Sequence, residues 1–162
     1  MEPKDKVIVI TGGGGGIGSS MARAFLREGA QAVVISDLDN ATLEVCADAL
    51  GCDWRVCDVT DESQVKGLVD YVISEYGRVD VYCSNAGAAG SNSGVLTDAG
   101  NEVWQKQWDL HVMAHVYASR ALLPSMIDRG DGYFLITSSA AGLLAATGSG
   151  PYTVTKAAAI KF

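Results

Sequence analysis

The sequence predicts an α/β fold, a parallel sheet with helices on both faces. Three observations carry that prediction. Short, continuously apolar runs alternate with helical periods along the whole chain. The first run, Val7-Ile8-Val9-Ile10, has no polar face, as a strand buried on both sides requires. Glycines stop the helices that follow, with Gly29, Gly51 and Gly77 closing the first three. Regular alternation implies parallel pairing through right-handed crossovers, hence a doubly wound sheet in one domain spanning residues 1–162.

Each element has its own signal. After the first strand, the helical period from Ile17 to Glu28 points Met21, Ala24 and Phe25 inward. Ala32-Val33-Val34-Ile35 is the second strand, and Asn40 to Leu50 the second helix. Trp54 to Cys57 is a weaker third strand. Thr60 or Asp61 caps the next helix, whose apolar stripe is Val65, Leu68, Val69, Val72 and Ile73. Val79 to Cys83 is the fourth strand, and the Gly-, Ser- and Ala-rich residues 88–100 form a loop. A long helix is expected from Glu102 to about Ile127, kinked near its end by Pro124. Tyr133-Phe134-Leu135-Ile136 is the fifth strand. A final helix starts near Pro151, a favoured first-turn position, and holds Phe162 toward a core.

Charge and composition exclude several classes. The chain has 162 residues, 48% of them apolar, and a formal net charge of −7. It offers no basic run to bind nucleic acid or an anionic membrane. The polar start, Met1 to Lys6, lacks a signal-peptide core, and no apolar stretch is long enough to span a bilayer, so a cytoplasmic protein is expected. Cys46, Cys52, Cys57 and Cys83 match no zinc or redox spacing and read as small apolar residues with free thiols. His111 and His115 lie four apart, but no third ligand stands near them and no metal is expected.

Between the first strand and the first helix lies Thr11-Gly12-Gly13-Gly14-Gly15-Gly16-Ile17-Gly18. A dinucleotide pyrophosphate needs glycine at that place, because a Cβ would block the backbone and the helix N-terminus supplies free N–H groups. A flexible linker is the plain alternative, but a linker does not belong between a buried strand and an amphipathic helix. Five glycines leave the register open. GxGxxG fits Gly13, Gly15 and Gly18; TGxxxGxG fits Thr11, Gly12, Gly16 and Gly18; TGxxGxxG fits Thr11, Gly12, Gly15 and Gly18. Asp37 follows the second strand, where an acid accepts hydrogen bonds from the adenosine ribose and repels a 2′-phosphate. That selects NAD over NADP.

A second constellation is Tyr152-Thr153-Val154-Thr155-Lys156. Residues four apart on a helix share a face, and an ammonium beside a phenol favours its ionised form. Ser138-Ser139 closes the fifth strand, at the carboxyl end of the sheet where such folds place ligands.

With these residues in view, the chain resembles the short-chain dehydrogenase/reductase family. The cofactor loop corresponds at Thr11–Gly18, with Gly12, Gly16, Ile17 and Gly18 expected against the cofactor. Asp58-Val59 matches the family's pair beside the adenine, and Asn85-Ala86-Gly87 its turn after the fourth strand. Ser139 stands thirteen residues before Tyr152, the family's catalytic spacing, and Lys156 follows. The resemblance implies a Rossmann-type sheet of order 3-2-1-4-5 whose C-terminal strands are missing. It implies hydride transfer between NAD and a secondary alcohol or ketone. Ser139 would bind the substrate oxygen, Tyr152 would move the proton, and Lys156 would serve both the tyrosine and the nicotinamide ribose. It also implies a homodimer or homotetramer formed through the long helix, where Trp104, Trp108, Val112 and Tyr117 exceed what one buried face needs.

Three departures stand against the pattern. Ser84 replaces an asparagine, His111 replaces the family's catalytic asparagine, and the family continues past Phe162 with a sixth strand and a substrate-closing loop. His111 is expected to act in a modified proton relay or merely to fill a helix kink. Two other readings stand beside the main one. A protein that binds NAD without catalysis fits the His111 departure, and a sugar-nucleotide epimerase shares TGxxGxxG and YxxxK but not the serine spacing or the Asn-Ala-Gly turn.

Overall fold

The computed structural model describes residues 1–89, 96–144 and 148–162. The expected loop over 88–100 therefore lies partly outside the described residues. Five strands, β1 (Val7–Thr11), β2 (Ala32–Asp37), β3 (Asp53–Val56), β4 (Val81–Ser84) and β5 (Tyr133–Ile136), form one parallel sheet of order β3-β2-β1-β4-β5. The order reverses between β1 and β4, and that crevice at the carboxyl ends is where a doubly wound sheet takes its ligand. The limits of the first four strands shift by one or two residues and those of the fifth hold; β4 starts at Val81, and the Val79 carbonyl before it accepts from the Arg129 guanidinium.

Alternation along the strands divides the core. Val7, Val9, Val34 and Tyr82 face one side, where Val65, Leu68, Val69 and Val72 of α3 (Glu62–Tyr76) meet Ala118 and Leu122 of α5 (Ala114–Arg129). Ile8, Ile10, Val33 and Ile35 face the other, against α1 (Gly16–Arg27) and α2 (Asn40–Leu50). On α1 the buried residues are Gly18 and Ala22, with Met21 and Phe25 partly covered, so the inward face is turned slightly from the expected Met21-Ala24-Phe25. Asp39 caps α2 and Asp61, not Thr60, caps α3, each accepting N–H groups of the first turn. Gly51, Gly77 and Gly130 end α2, α3 and α5 in the left-handed conformation.

The long helix is not continuous. α4 (Asn101–Trp108) gives way to a π turn over Asp109–Met113, in which the Ala114 N–H reaches back to the Asp109 carbonyl, and α5 then follows. The interruption sits at His111 rather than at Pro124, which α5 carries within it. A π turn admits one extra residue and commonly marks a functional site. The last helix, α6 (Gly150–Lys161), packs against α4 and the π turn. Phe162 does not reach a core. It is half exposed, with its ring 5.9 Å from His115 and 6.5 Å from Phe134. Among the described residues no helix is long and apolar enough to cross a membrane.

Candidate active site

The carboxyl ends of β1, β4 and β5 are tied by one polar network. Thr11 Oγ1 donates to the Cys83 carbonyl and accepts the backbone N–H groups of Asn85 and Ala86. The Asn85 amide donates to the Thr11 carbonyl at 2.9 Å, and its Oδ1 accepts from Thr137 Oγ1 at 3.0 Å. Three strands that end in loops thereby acquire one rigid rim. Lys156 completes it, donating from Nζ to the Thr137 carbonyl at 2.9 Å. Burial holds this ammonium below the ordinary lysine range.

A cavity of about 980 Å³ opens above that rim. Its lining takes in Gly12, Gly16, Ile17, Gly18, Asp37, Asp58, Val59, Asn85, Ala86, Gly87, Tyr152 and Lys156, so the residues expected to hold a cofactor share one wall system. The glycine loop is shaped for close approach. Gly12 has φ +65°, and a Cβ there would stand 2.9 Å from Ala86 Cα. A Cβ on Gly18 would stand 2.1 Å from the Gly12 carbonyl oxygen, whereas at Gly15 and Gly16 the Cβ position is open. Unlike α2 and α3, α1 has no side-chain cap, and unlike α3 it has no acid in its first turn. Its first N–H groups are thus left for an anion lying along the open Gly15–Gly16 edge. Asp37 sits beyond the loop, accepting the Gly14 N–H at 3.0 Å and its neighbour Leu38's at 2.8 Å. Asp58 Oδ1 is held by the Thr60 N–H and hydroxyl. These features fit a dinucleotide: a dipole for the pyrophosphate, glycines beneath it and a fixed acid at the ribose end.

Tyr152 and Lys156 come together as their spacing predicts, with Nζ 5.9 Å from the phenol ring centre. Ser139 does not join them on the cavity wall. Its Oγ accepts the Ala141 N–H at 3.2 Å and caps the short turn Ala140–Gly142, while Ser138 lines the cavity and donates to the Lys156 carbonyl at 2.8 Å. The wall also includes residues that the sequence motifs missed. Thr137 was hidden because its role depends on β5 lying beside β4. Glu102, Gln105 and Lys106 on α4 and Asp109 at the start of the π turn recur at helical spacing, a legible signal, but nothing in the sequence says that this face meets the cavity.

The two histidines are buried on the sheet side of the site. His111 Nδ1 lies 3.0 Å from Thr155 Oγ1, and its Nε2 accepts the Ala88 N–H at 3.3 Å. His115 Nδ1 lies 2.7 Å from Ser84 Oγ, so the serine that departs from the family pattern is matched by a histidine on α5. Burial, reinforced by the Lys156 ammonium, pushes both imidazoles down to about 4 from an ordinary 6.5. A histidine with a depressed folded pKa is more readily protonated when unfolded, so stability falls as pH drops from 6.5 toward 4. Each ring accounts for about 3 kcal/mol across that window, and the repulsion between the two charged rings is already part of the His111 shift. Denaturant unfolding at pH 7 and pH 4.5 should show the loss, and His115→Leu should shrink it. An unchanged pH slope in His115→Leu would refute this account.

Comparison with known proteins agrees with the geometry. The sequence profile of the family described as short chain dehydrogenase matches residues 6–162. Short chain aldehyde dehydrogenase 1 of Euphorbia lathyris is 33% identical over 155 residues, covering 93% of this chain and 54% of the relative. A short chain dehydrogenase/reductase from Burkholderia phymatum, solved in complex with NAD, superposes with a TM-score of 0.93 at 29% identity, covering 99% of this chain and 58% of that one. An NAD+-bound xylitol dehydrogenase gives 0.89 at 28% identity, with 99% and 62% covered. The chain thus spans little more than half the length of its relatives, and over that span fold, site and sequence profile place it in the short chain dehydrogenase family.

Proposed function

We propose that the protein is an NAD-dependent oxidoreductase that moves a hydride between the cofactor and a secondary alcohol or ketone. The observation that carries this reading is the placement of Tyr152 and Lys156, four apart on α6, across one cavity from the uncapped, glycine-lined N-terminus of α1. The two NAD-bound neighbours support the cofactor, and the xylitol dehydrogenase among them supports the substrate class.

When bound, NAD supplies the site that accepts or gives the hydride. Tyr152 takes the alcohol proton during oxidation and returns it during reduction. Lys156 places positive charge beside the phenol, where negative charge develops as that proton moves. Of the two serines, Ser138 spends its proton on the Lys156 carbonyl. Among the described residues Ser139 only accepts, from Ala141, so its proton is left for a substrate oxygen that reaches past the wall lined by Ser138. Turnover of NADH with a panel of ketones, or of NAD with secondary alcohols, by the intact protein tests the reading. No turnover with any member would favour an NAD-binding protein without catalysis.

Cofactor choice follows from Asp37. A 2′-phosphate placed at the ribose end would face this carboxylate, and neither Thr11–Ala22 nor Gln31–Leu50 contains a Lys or Arg to neutralise it. NAD should bind at least about tenfold tighter than NADP, the discrimination of a partly exposed like-charge clash. Asp37→Ala should narrow the gap. Equal affinities in a titration of the unaltered protein would overturn the assignment. Free thiols suit a reducing compartment such as the cytoplasm. Self-association through α4 and α5 into a dimer or tetramer fits Trp108, which is 41% exposed on that surface.

A further inference from the structure

The π turn brings His111 into contact with three separate pieces of the site, and its two nitrogens can be assigned from their partners. The Ala88 backbone N–H is a donor only, so Nε2, 3.3 Å away, must be the acceptor. Thr155 Oγ1 lies 2.8 Å from the Pro151 carbonyl and 3.1 Å from that of Tyr152, so its single proton goes to the helix backbone. It then has only a lone pair for His111, and Nδ1 must carry the proton. Two independent partners demand the same tautomer, Nδ1–H with Nε2 bare. Protonating the ring would set Nε2–H against Ala88 N–H, two donors head to head, with the Lys156 ammonium close by. The ring also meets the Tyr152 ring edge-on at 5.3 Å. Gly87 packs against the ring and Lys156, since a Cβ there would stand 3.3 Å from both His111 Nε2 and Lys156 Nζ.

From this geometry we infer that His111 is a positioning residue, a neutral clamp of fixed tautomer that holds the Gly87–Ala88 turn at a set distance from the helix bearing Tyr152 and Lys156. A relay would need a ring nitrogen free to exchange protons, and both are engaged by groups that do not titrate. The inference rests on the oxidoreductase reading for its kinetic consequence, but not for its spectroscopic one.

The test uses the intact protein labelled with ¹⁵N at histidine. His111 should show protonated Nδ1 and bare Nε2, unchanged between pH 5.5 and 8. His111→Ala should expose the Ala88 amide to faster hydrogen exchange. In kinetics, His111→Ala and the isosteric Thr155→Val should each lower kcat by about tenfold or more, without moving the inflection of the pH profile. The double variant should be no worse than His111→Ala, because the two residues form one link. An Nε2–H tautomer, or a His111 titration near neutrality that coincides with an inflection in kcat, would overturn the clamp in favour of a relay. Unchanged Ala88 exchange in His111→Ala would overturn it in favour of a space-filling ring. Absence of any turnover would leave the tautomer and exchange results standing and count against the oxidoreductase reading alone.

Discussion

Tyr152→Phe in the intact protein should lower kcat by about 10²–10⁴-fold, the range lost when a positioned acid–base group is removed, while NADH affinity changes by less than about threefold. The split follows from the site. The substitution deletes one oxygen and keeps the ring, so the edge-on contact with His111 and the 5.9 Å approach of Lys156 survive. The elements expected to hold the dinucleotide, namely the glycine loop, Asp37 and the Asn85–Gly87 turn, are untouched. Lys156→Ala should behave differently. It removes the Nζ bond to the Thr137 carbonyl as well as the charge beside the phenol, so cofactor affinity and kcat should fall together. Stopped-flow turnover and NADH fluorescence titration on the same preparations separate the two effects. Near-normal kcat in Tyr152→Phe would sink the proposed chemistry.

Gly18→Ala should impair both folding and cofactor binding, whereas Gly15→Ala should affect binding alone. At Gly18 the added methyl would sit 2.1 Å from the Gly12 oxygen and 2.9 Å from Gly13 Cα. Both obstacles are backbone, so the loop itself must move. Overpacking of that kind costs about 1–3 kcal/mol of stability. The displaced loop should weaken NAD binding by at least about tenfold. Gly15 is extended, with φ −173°, a conformation open to any residue, and no atom lies within 4 Å of its Cβ position. Alanine there fits the protein but intrudes on the open edge where the pyrophosphate is expected. Thermal unfolding should therefore be lowered in Gly18→Ala and unchanged or slightly raised in Gly15→Ala, with NAD affinity reduced in both. Full affinity in Gly15→Ala would mean that the ligand does not approach the loop there.

Much of this was legible in the amino-acid order alone. Continuous apolar runs separated by capped and glycine-stopped helices determined a parallel doubly wound sheet. The place of the glycines between a strand and a helix, the acid after the second strand, and the spacing of Tyr152 and Lys156 pointed to residues that share one cavity wall. These signals are local, a period or a spacing within one element, and local geometry converts each into a position. What only the tertiary structure decided is non-local. Proline marked the expected break in the long helix, yet the break lies at His111, whose ring finds a donor on the turn after β4 and an acceptor on α6. Ser138, not Ser139, meets the cavity wall and is bonded to the carbonyl of Lys156, a contact between segments eighteen residues apart. Thr11, Asn85 and Thr137 form a rim only because β1, β4 and β5 are neighbours. A buried polar atom must be paired, but sequence names the atom and not its partner; the partner is chosen by which strands and helices the fold sets side by side.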